Sequence, residues 1–396
     1  MMEYWIWLQS ILKPGSNKVL SVLQKYGSAK GVFDTPYDDL KLSGLFSPKE
    51  LLGLKKKDLS FAKKVLNDCK DANISAVCIN NKLYPSALRE IQNPPLVLYF
   101  IGNIELLKDE PCVCIVGPRE VSVFGKRAAF SLAARLAAGG ITVISGGALG
   151  SDTAAHKGAL AVDGNTVCVL GCGINSDYLK ENIPLRATIA QKGLVISEYF
   201  PFDTATKYSF PVRNRIMSGL CLGVVVIEAG DKSGALITAN LAAEQGRDVF
   251  AIPGNPTYAQ YKGSNKLLRD GAKPLLDASD IFLEYINAFP HKINPEKAFS
   301  ISVRSEEEKA PENPVKPPVN KLVKQVDKKL EQKPQKIIAN NLSKNAEMVY
   351  NQLDKPIFMI DDINCALSGN EMLAAITELE IMGYIAALPG GRYELK

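Results

Sequence analysis

Hydrophobic positions change their spacing three times along this chain. Between residues 1 and 85 they fall in short amphipathic stretches, with Leu20, Leu23, Leu40, Leu45, Leu51, Leu52, Leu54 and Val65 punctuated by Gly15, Gly27, Gly44 and Gly53. That spacing predicts helices. From Cys112 onward short apolar runs recur at Cys112–Val116, Ile141–Ile144, Thr166–Leu170, Leu194–Ile196, Gly223–Ile227 and Asp248–Ala251. Helix-patterned segments separate them, at Gly125–Ala138, Asp152–Val162, Pro184–Lys192 and Ala235–Gly246. Strands that are apolar throughout, rather than at alternate positions, belong to a parallel sheet covered on both faces. Residues 291–340 then carry six prolines, the run Glu306-Glu307-Glu308 and many lysines, a flexible linker with a short helix near Lys321–Leu330. Globular patterning returns at 342–396. Helices are expected at Ala346–Leu353, Ile360–Ala366 and Asn370–Met382, and a hairpin joins Tyr384–Leu388 to Arg392–Leu395 through Pro389-Gly390-Gly391.

These blocks divide the chain into a helical domain at 1–90, an α/β domain at 91–288, a linker at 289–340 and a winged-helix domain at 341–396. The fold class is α/β, with a Rossmann-like parallel sheet as its core. Two readings of the first domain stay open. It is either a structural helical bundle or a SAM-like or helix–hairpin–helix-like module, in which Tyr26-Gly27-Ser28-Ala29 and Leu42-Ser43-Gly44-Leu45 are turns whose amides touch DNA backbone. Residues 92–111 read as an extended, proline-marked bridge.

Composition narrows the class. No run of 18 apolar residues occurs, so no membrane span is expected. Met1-Met2-Glu3-Tyr4-Trp5 lacks the basic start of a secretory signal. Cys112, Cys114, Cys168 and Cys221 lie within apolar stretches and read as core residues, which suits a reduced, cytoplasmic protein. The net charge of +5 permits a nucleic-acid partner. Residues 341–396, with 4 basic and 8 acidic groups, carry −4 and are poorly suited to gripping DNA by charge.

The candidate chemistry lies where ligands of parallel sheets bind, at the carboxyl ends of the strands. Each strand there ends in a small or polar loop: Gly117-Pro118-Arg119, Ser145-Gly146-Gly147-Ala148-Leu149-Gly150, Gly171-Cys172-Gly173, Glu228-Ala229-Gly230 followed by Ser233-Gly234, and Pro253-Gly254-Asn255. Glycine lets a backbone approach an anion closely, and the helix that follows offers unpaired N–H groups. A segment read as a long loop, Lys207-Tyr208-Ser209-Phe210-Pro211-Val212-Arg213-Asn214-Arg215, adds three cations, an amide and two rings at the same edge. Cations track phosphates and a ring stacks a base of any sequence, so single-stranded DNA is the expected ligand. Arg119 is expected to face the same crevice.

Eight blocks in order resemble the DNA-processing protein A family (DprA, or Smf). They are Gly117-Pro118-Arg119; Ser145–Asp152 with Ala155-His156; Gly164-Asn165-Thr166 through Gly173; Ser197-Glu198; Phe210–Arg215; Glu228-Ala229 with Ser233–Ala239; Gly246-Arg247 with Pro253-Gly254; and Gly263–Leu268 with Gly271-Ala272. The resemblance implies a cytoplasmic single-stranded DNA binder that protects incoming strands in natural transformation, loads the RecA recombinase and works as a homodimer without a cofactor. It places Arg119, Lys207, Phe210, Arg213 and Arg215 in a basic pocket, lined by the amides of Ser145, Gly146 and Gly147. Asn214, Ser233, Gly234 and Thr238 complete the expected DNA-binding set. Three features depart from the family pattern. Pro118 replaces serine and removes an N–H, Gly147 and Ser151 replace apolar residues, and Leu179 follows Tyr178 where the family has proline.

A nucleotide-binding or phosphoribohydrolase-like enzyme on the same architecture is the alternative. Its PGGxGTxxE glutamate has no counterpart in Ser233–Leu241, so no catalytic residue is assigned. Glu198 and Glu228 are expected to bind loop amides. His156, four residues after Asp152, is expected to pair with it and anchor the glycine loop. No metal site is expected, because Cys168 and Cys172 lack a second ligand pair.

Overall fold

The computed structural model describes residues 1–301 and, towards the C-terminus, 342–353, 357–360, 363, 365, 367–388 and 392–395. The chain divides into two compact units, Met1–Ala310 and Pro311–Lys396. Among the described residues no helix is long and apolar enough to cross a membrane.

The first unit opens with α1 (Met2–Leu12), α2 (Val19–Tyr26), α3 (Ala29–Asp34), α4 (Tyr37–Leu42), α5 (Pro48–Lys56) and α6 (Ser60–Asp71). Local signals set their ends. Ser28 accepts the Gly31 N–H ahead of α3, and Ser47 and Glu50 form a capping box around Pro48 at the start of α5. The helical pattern then stops. β1 (Ser75–Cys78) and β2 (Val97–Gly102), separated by the single turn α7 (Ser86–Arg89), pair antiparallel. Residues 1–90 are therefore not wholly helical, and the bridge over 92–111 contains a strand. Val97, Leu98 and Tyr99 have no exposed surface, so both faces of β2 are covered.

β2 continues into the main sheet, pairing antiparallel with β6 (Leu194–Ser197). The remaining strands are parallel: β3 (Cys112–Val116), β4 (Thr142–Ser145), β5 (Thr166–Leu170), β7 (Gly223–Val226), β8 (Asp248–Ala251) and β9 (Lys273–Pro274). Their order is β1-β2-β6-β5-β4-β3-β7-β8-β9. The chain thus builds outward from β3 to β6, then crosses back to lay β7 on the other side of β3. Between the carboxyl ends of β3 and β7 lies the topological switch point, where such sheets leave a crevice.

The connecting helices are α8 (Val123–Ala138), α9 (Ser151–Ala161), α10 (Ile183–Lys192), α11 (Ser209–Leu220) and α12 (Gly234–Glu244), followed by α13 (Lys262–Arg269), α14 (Ala278–Tyr285) and α15 (Pro295–Ser300). They cover both faces, as the apolar runs require. Cys112, Cys114 and Val116 share a core with Trp5 and Leu8 of α1, Met217 of α11 and Ala239 of α12. Val113 and Ile115, on the opposite face, pack with Leu136 of α8, Ala155 of α9 and Phe282 of α14. Each such aliphatic side chain contributes about 1.5–3 kcal/mol on burial. The N-terminal helices and the sheet therefore share one interior, rather than meeting as separate beads.

In the second unit α16 (Lys344–Gln352) and α17 (Gly369–Ile381) accompany a sheet in which β12 (Arg392–Leu395) pairs antiparallel with β10 (Ile357–Met359) and β11 (Ile385–Leu388). Val349, Phe358, Ile376 and Leu379 are buried together. The expected helix at Ile360–Ala366 falls largely outside the described residues, as do the Pro389–Gly391 turn and the linker with its helix near Lys321–Leu330.

Candidate nucleic-acid interface

A crevice of about 480 Å³ opens at the switch point. Gly117, Pro118 and Arg119 after β3 form one wall, with Ala148 and Asp152 from the segment after β4. α11 supplies Phe210, Arg213 and Asn214, and the start of α12 supplies Ser233, Gly234 and Thr238. Seven of the twelve predicted site residues thus meet in one place.

α11 corrects the expectation of a long loop. Thr206 and Ser209 each accept the other's N–H, at 3.2 and 3.1 Å, and close the helix start. Pro211 sits in the first turn, where an N–H has no helical acceptor in any case. The helical period then sets which side chains share a face. Phe210, Arg213, Asn214 and Met217 line the crevice. Arg213 is buried, donates to the Val169 carbonyl, and leaves its Nε without a partner. Its guanidinium lies so close to Gly146 that a Cβ there would stand 2.0 Å from Nη1, so no other residue fits. Phe210 is half-buried, with the Arg119 guanidinium 5.2 Å from its ring centroid and the Tyr178 ring centroid also 5.2 Å away. It is a ring at the crevice wall, held by a cation–π contact.

Other predicted residues stand apart. Arg215 is not in the crevice. It forms an ion pair with Glu198, each side chain only 4% exposed, and Glu198 also accepts the Gly15 N–H at 3.2 Å. Burial raises the Glu198 pKa, and the Arg215 charge opposes that rise. Lys207 is exposed, outside the crevice lining, with its Nζ 5.1 Å from the Tyr208 ring. Ser145 has no exposed surface and donates to the Ile115 carbonyl at 2.7 Å, tying β4 to β3. Gly146 and Gly147 line a cleft of about 10 Å³ beside Arg213 and Phe210. Gly147 has φ 69°, a backbone region that favours glycine.

The glycine loop is braced differently from the expectation. Asp152 accepts the Ala148 N–H at 3.2 Å, and burial raises its pKa despite the Arg213 charge. His156 does not pair with Asp152. Its Nδ1 lies 2.8 Å from Thr166 Oγ1, and burial depresses its pKa to about 3, so the ring is neutral. The brace that sequence reading missed is Asn182, whose Nδ2 donates to the Gly147 carbonyl at 3.1 Å, the Ala148 carbonyl at 3.3 Å and Thr153 Oγ1 at 2.9 Å. No spacing links a lone asparagine to a loop that lies more than thirty residues earlier. Glu228 is buried and accepts from Ser122, through both N–H and Oγ, and from Tyr261 at 3.1 Å. Pro118, although without an N–H, accepts the Ser151 N–H at 3.2 Å. α12 starts at the crevice, with Ser233 capping it through the Ala235 N–H at 3.3 Å. Its positive dipole end favours an anion there. Among the described residues no group of three or more His, Cys, Asp or Glu side chains could hold a metal ion.

Residues 75–286 match the family described as DNA recombination-mediator protein A. The chain belongs to that family. It is 42% identical over 202 residues to the DNA processing protein DprA of Streptococcus pneumoniae, covering 51% of this chain and 71% of that one. It is 31% identical over 345 residues to the protein Smf of Escherichia coli, covering 85% and 83%. Among solved structures, the X-ray structure of DprA from S. pneumoniae superposes with a TM-score of 0.63 at 34% identity, over 72% of this chain and 98% of that one. A structure of DprA from Helicobacter pylori, described for its unique single-stranded DNA binding mode, gives 0.50 at 30% identity, over 54% and 96%.

Proposed function

We propose that this chain binds single-stranded DNA in the switch-point crevice, protects incoming strands during natural transformation and loads the RecA recombinase onto them, acting as a cytoplasmic homodimer. The observation that carries the reading is the convergence of Arg119, Arg213 and Phe210 with the N-terminus of α12. Cations and helix amides answer phosphates, and a ring answers bases without regard to sequence. The H. pylori relative's described binding mode supports the same ligand. The purified protein titrated with single-stranded and duplex oligonucleotides of equal length across a salt series tests it. Single strands should bind tightly and duplex poorly. Equal affinity for both would overturn the reading.

The C-terminal unit, with two helices and a three-stranded antiparallel sheet, suits the winged-helix reading. Its net charge of −4 speaks for a role other than gripping the strand. A binding rather than hydrolytic role is supported by Glu228, whose carboxylate is already engaged by Ser122 and Tyr261. Release of free base from any nucleoside monophosphate, abolished by Glu228→Gln, would restore the enzymatic alternative.

A further inference from the structure

A glycine-rich loop can greet a phosphate in two opposite ways. Its N–H groups attract the anion, and its carbonyl oxygens repel it. Which ends are available depends on what already occupies them. In the loop after β4 the carbonyl ends are taken. Asn182 is 5% exposed and donates to the carbonyls of both Gly147 and Ala148, while Thr153 Oγ1 donates to the Ala148 carbonyl at 2.7 Å. Asn182 Nδ2 also donates to Thr153 Oγ1, which fixes that hydroxyl as donor towards the loop. The N–H groups of Gly147, Leu149 and Gly150, by contrast, have no protein acceptor among the described residues. Asp152 secures the one N–H between them, that of Ala148.

We propose that Asn182 is a positioning residue for phosphate binding. By engaging the Gly147 and Ala148 carbonyls, it withdraws the negative ends of the loop from the ligand and leaves the N–H ends for a phosphate of the strand. The assignment rests on the single-strand reading of the crevice. It goes beyond that reading by giving the loop's amides a definite share of the phosphate contacts, held by a side chain that itself touches no ligand. The chemistry demands a donor at this position. A carboxylate of the same size would face two carbonyl oxygens and drive them off, freeing them to turn towards the anion.

Asn182→Ala and Asn182→Asp, each measured against oligothymidylate over a salt series with thermal melts alongside, test the proposal. Both variants should bind about tenfold or more weakly, with Asn182→Asp the worse. Both should lower the slope of log K against log salt by about 0.7, the change expected when one phosphate of a single strand is no longer neutralised by the protein. A role in folding alone would lower the melting midpoint and leave that slope at the wild-type value. Thr153→Val removes only the second donor to Ala148, and should show the same slope change in weaker form even if the Asn182 variants fold poorly. Wild-type affinity and slope in folded Asn182→Ala, or an unchanged slope in all three variants, would overturn the assignment. Failure of the unaltered protein to bind oligothymidylate would instead sink the single-strand reading itself.

Discussion

Replacing Arg215 with alanine separates the two faces of α11. The Arg215 guanidinium and the Glu198 carboxylate are each 4% exposed, and besides this pair Glu198 holds only the Gly15 N–H through its side chain. Arg215→Ala strands a buried carboxylate on one backbone donor. Breaking a buried pair in this way costs on the order of 3–5 kcal/mol. The pH dependence follows from Glu198. Burial already raises its pKa, and loss of the opposing Arg215 charge raises it further. The folded variant then holds a proton that the unfolded chain has released. For such a raised carboxyl, stability is present below the unfolded pKa and is lost as pH rises through the folded one. The deficit should therefore be deeper at pH 8 than at pH 5. Urea denaturation at both pH values measures it, and Glu198→Gln combined with Arg215→Ala should recover part of the loss at pH 8. In the same variant the salt dependence of single-strand binding by folded protein should match wild type. Unchanged stability, with a salt slope reduced by about 0.7, would place Arg215 on a phosphate and refute this reasoning.

Arg119→Ala should lower the salt slope by about 0.7, whereas Phe210→Ala should cost on the order of 1–3 kcal/mol of binding with the slope almost unchanged. Identical slope losses in both variants would show that ring and cation do not divide the work. His156, buried neutral with its pKa near 3, gives stability that is present above the ordinary histidine range and lost as pH falls through it towards 3. At pH 5 the loss is about 2 kcal/mol, and His156→Gln should shrink the difference in denaturation free energy between pH 7 and pH 5 by that amount. Deleting residues 341–396, which carry −4, should leave single-strand affinity within a few-fold, and a hundredfold loss would make that segment part of the site.

The sheet was legible because its strands are buried on both faces. Cys112–Val116 and Thr166–Leu170 have every position covered, and a short run of that kind between helix-patterned segments fits a central parallel strand and little else. β1 and β2 were not legible for a related reason. Ser75-Ala76-Val77-Cys78 is short and follows a helix directly, and its partner Val97–Phe100 lies some twenty residues on, so only tertiary pairing turns it into a strand. The local pattern also placed His156 with Asp152, since both lie one turn apart on α9. The hydroxyl of Thr166 on the neighbouring strand took the ring instead. Sequence spacing cannot see an acceptor that arrives from another element.

The most instructive miss is the triplet Arg213-Asn214-Arg215. Taken as loop, with Pro211 as the apparent breaker, both arginines could turn to one phosphate track. Taken as helix, residues two apart point about 200° from one another around the axis, so one pocket cannot hold both. Proline in a first turn does not break a helix, and the Thr206–Ser209 exchange ahead of it marks a helix start. With the period set to 3.6, Phe210, Arg213, Asn214 and Met217 fall on one face at spacings of three, four and seven, which is the face at the crevice. The opposite face carries Val212, which packs against Gly15, and Arg215, which is paired with Glu198. A single helix thus joins the ligand crevice to the N-terminal segment. One arginine faces the strand, and the other fixes the position of the helix that presents it.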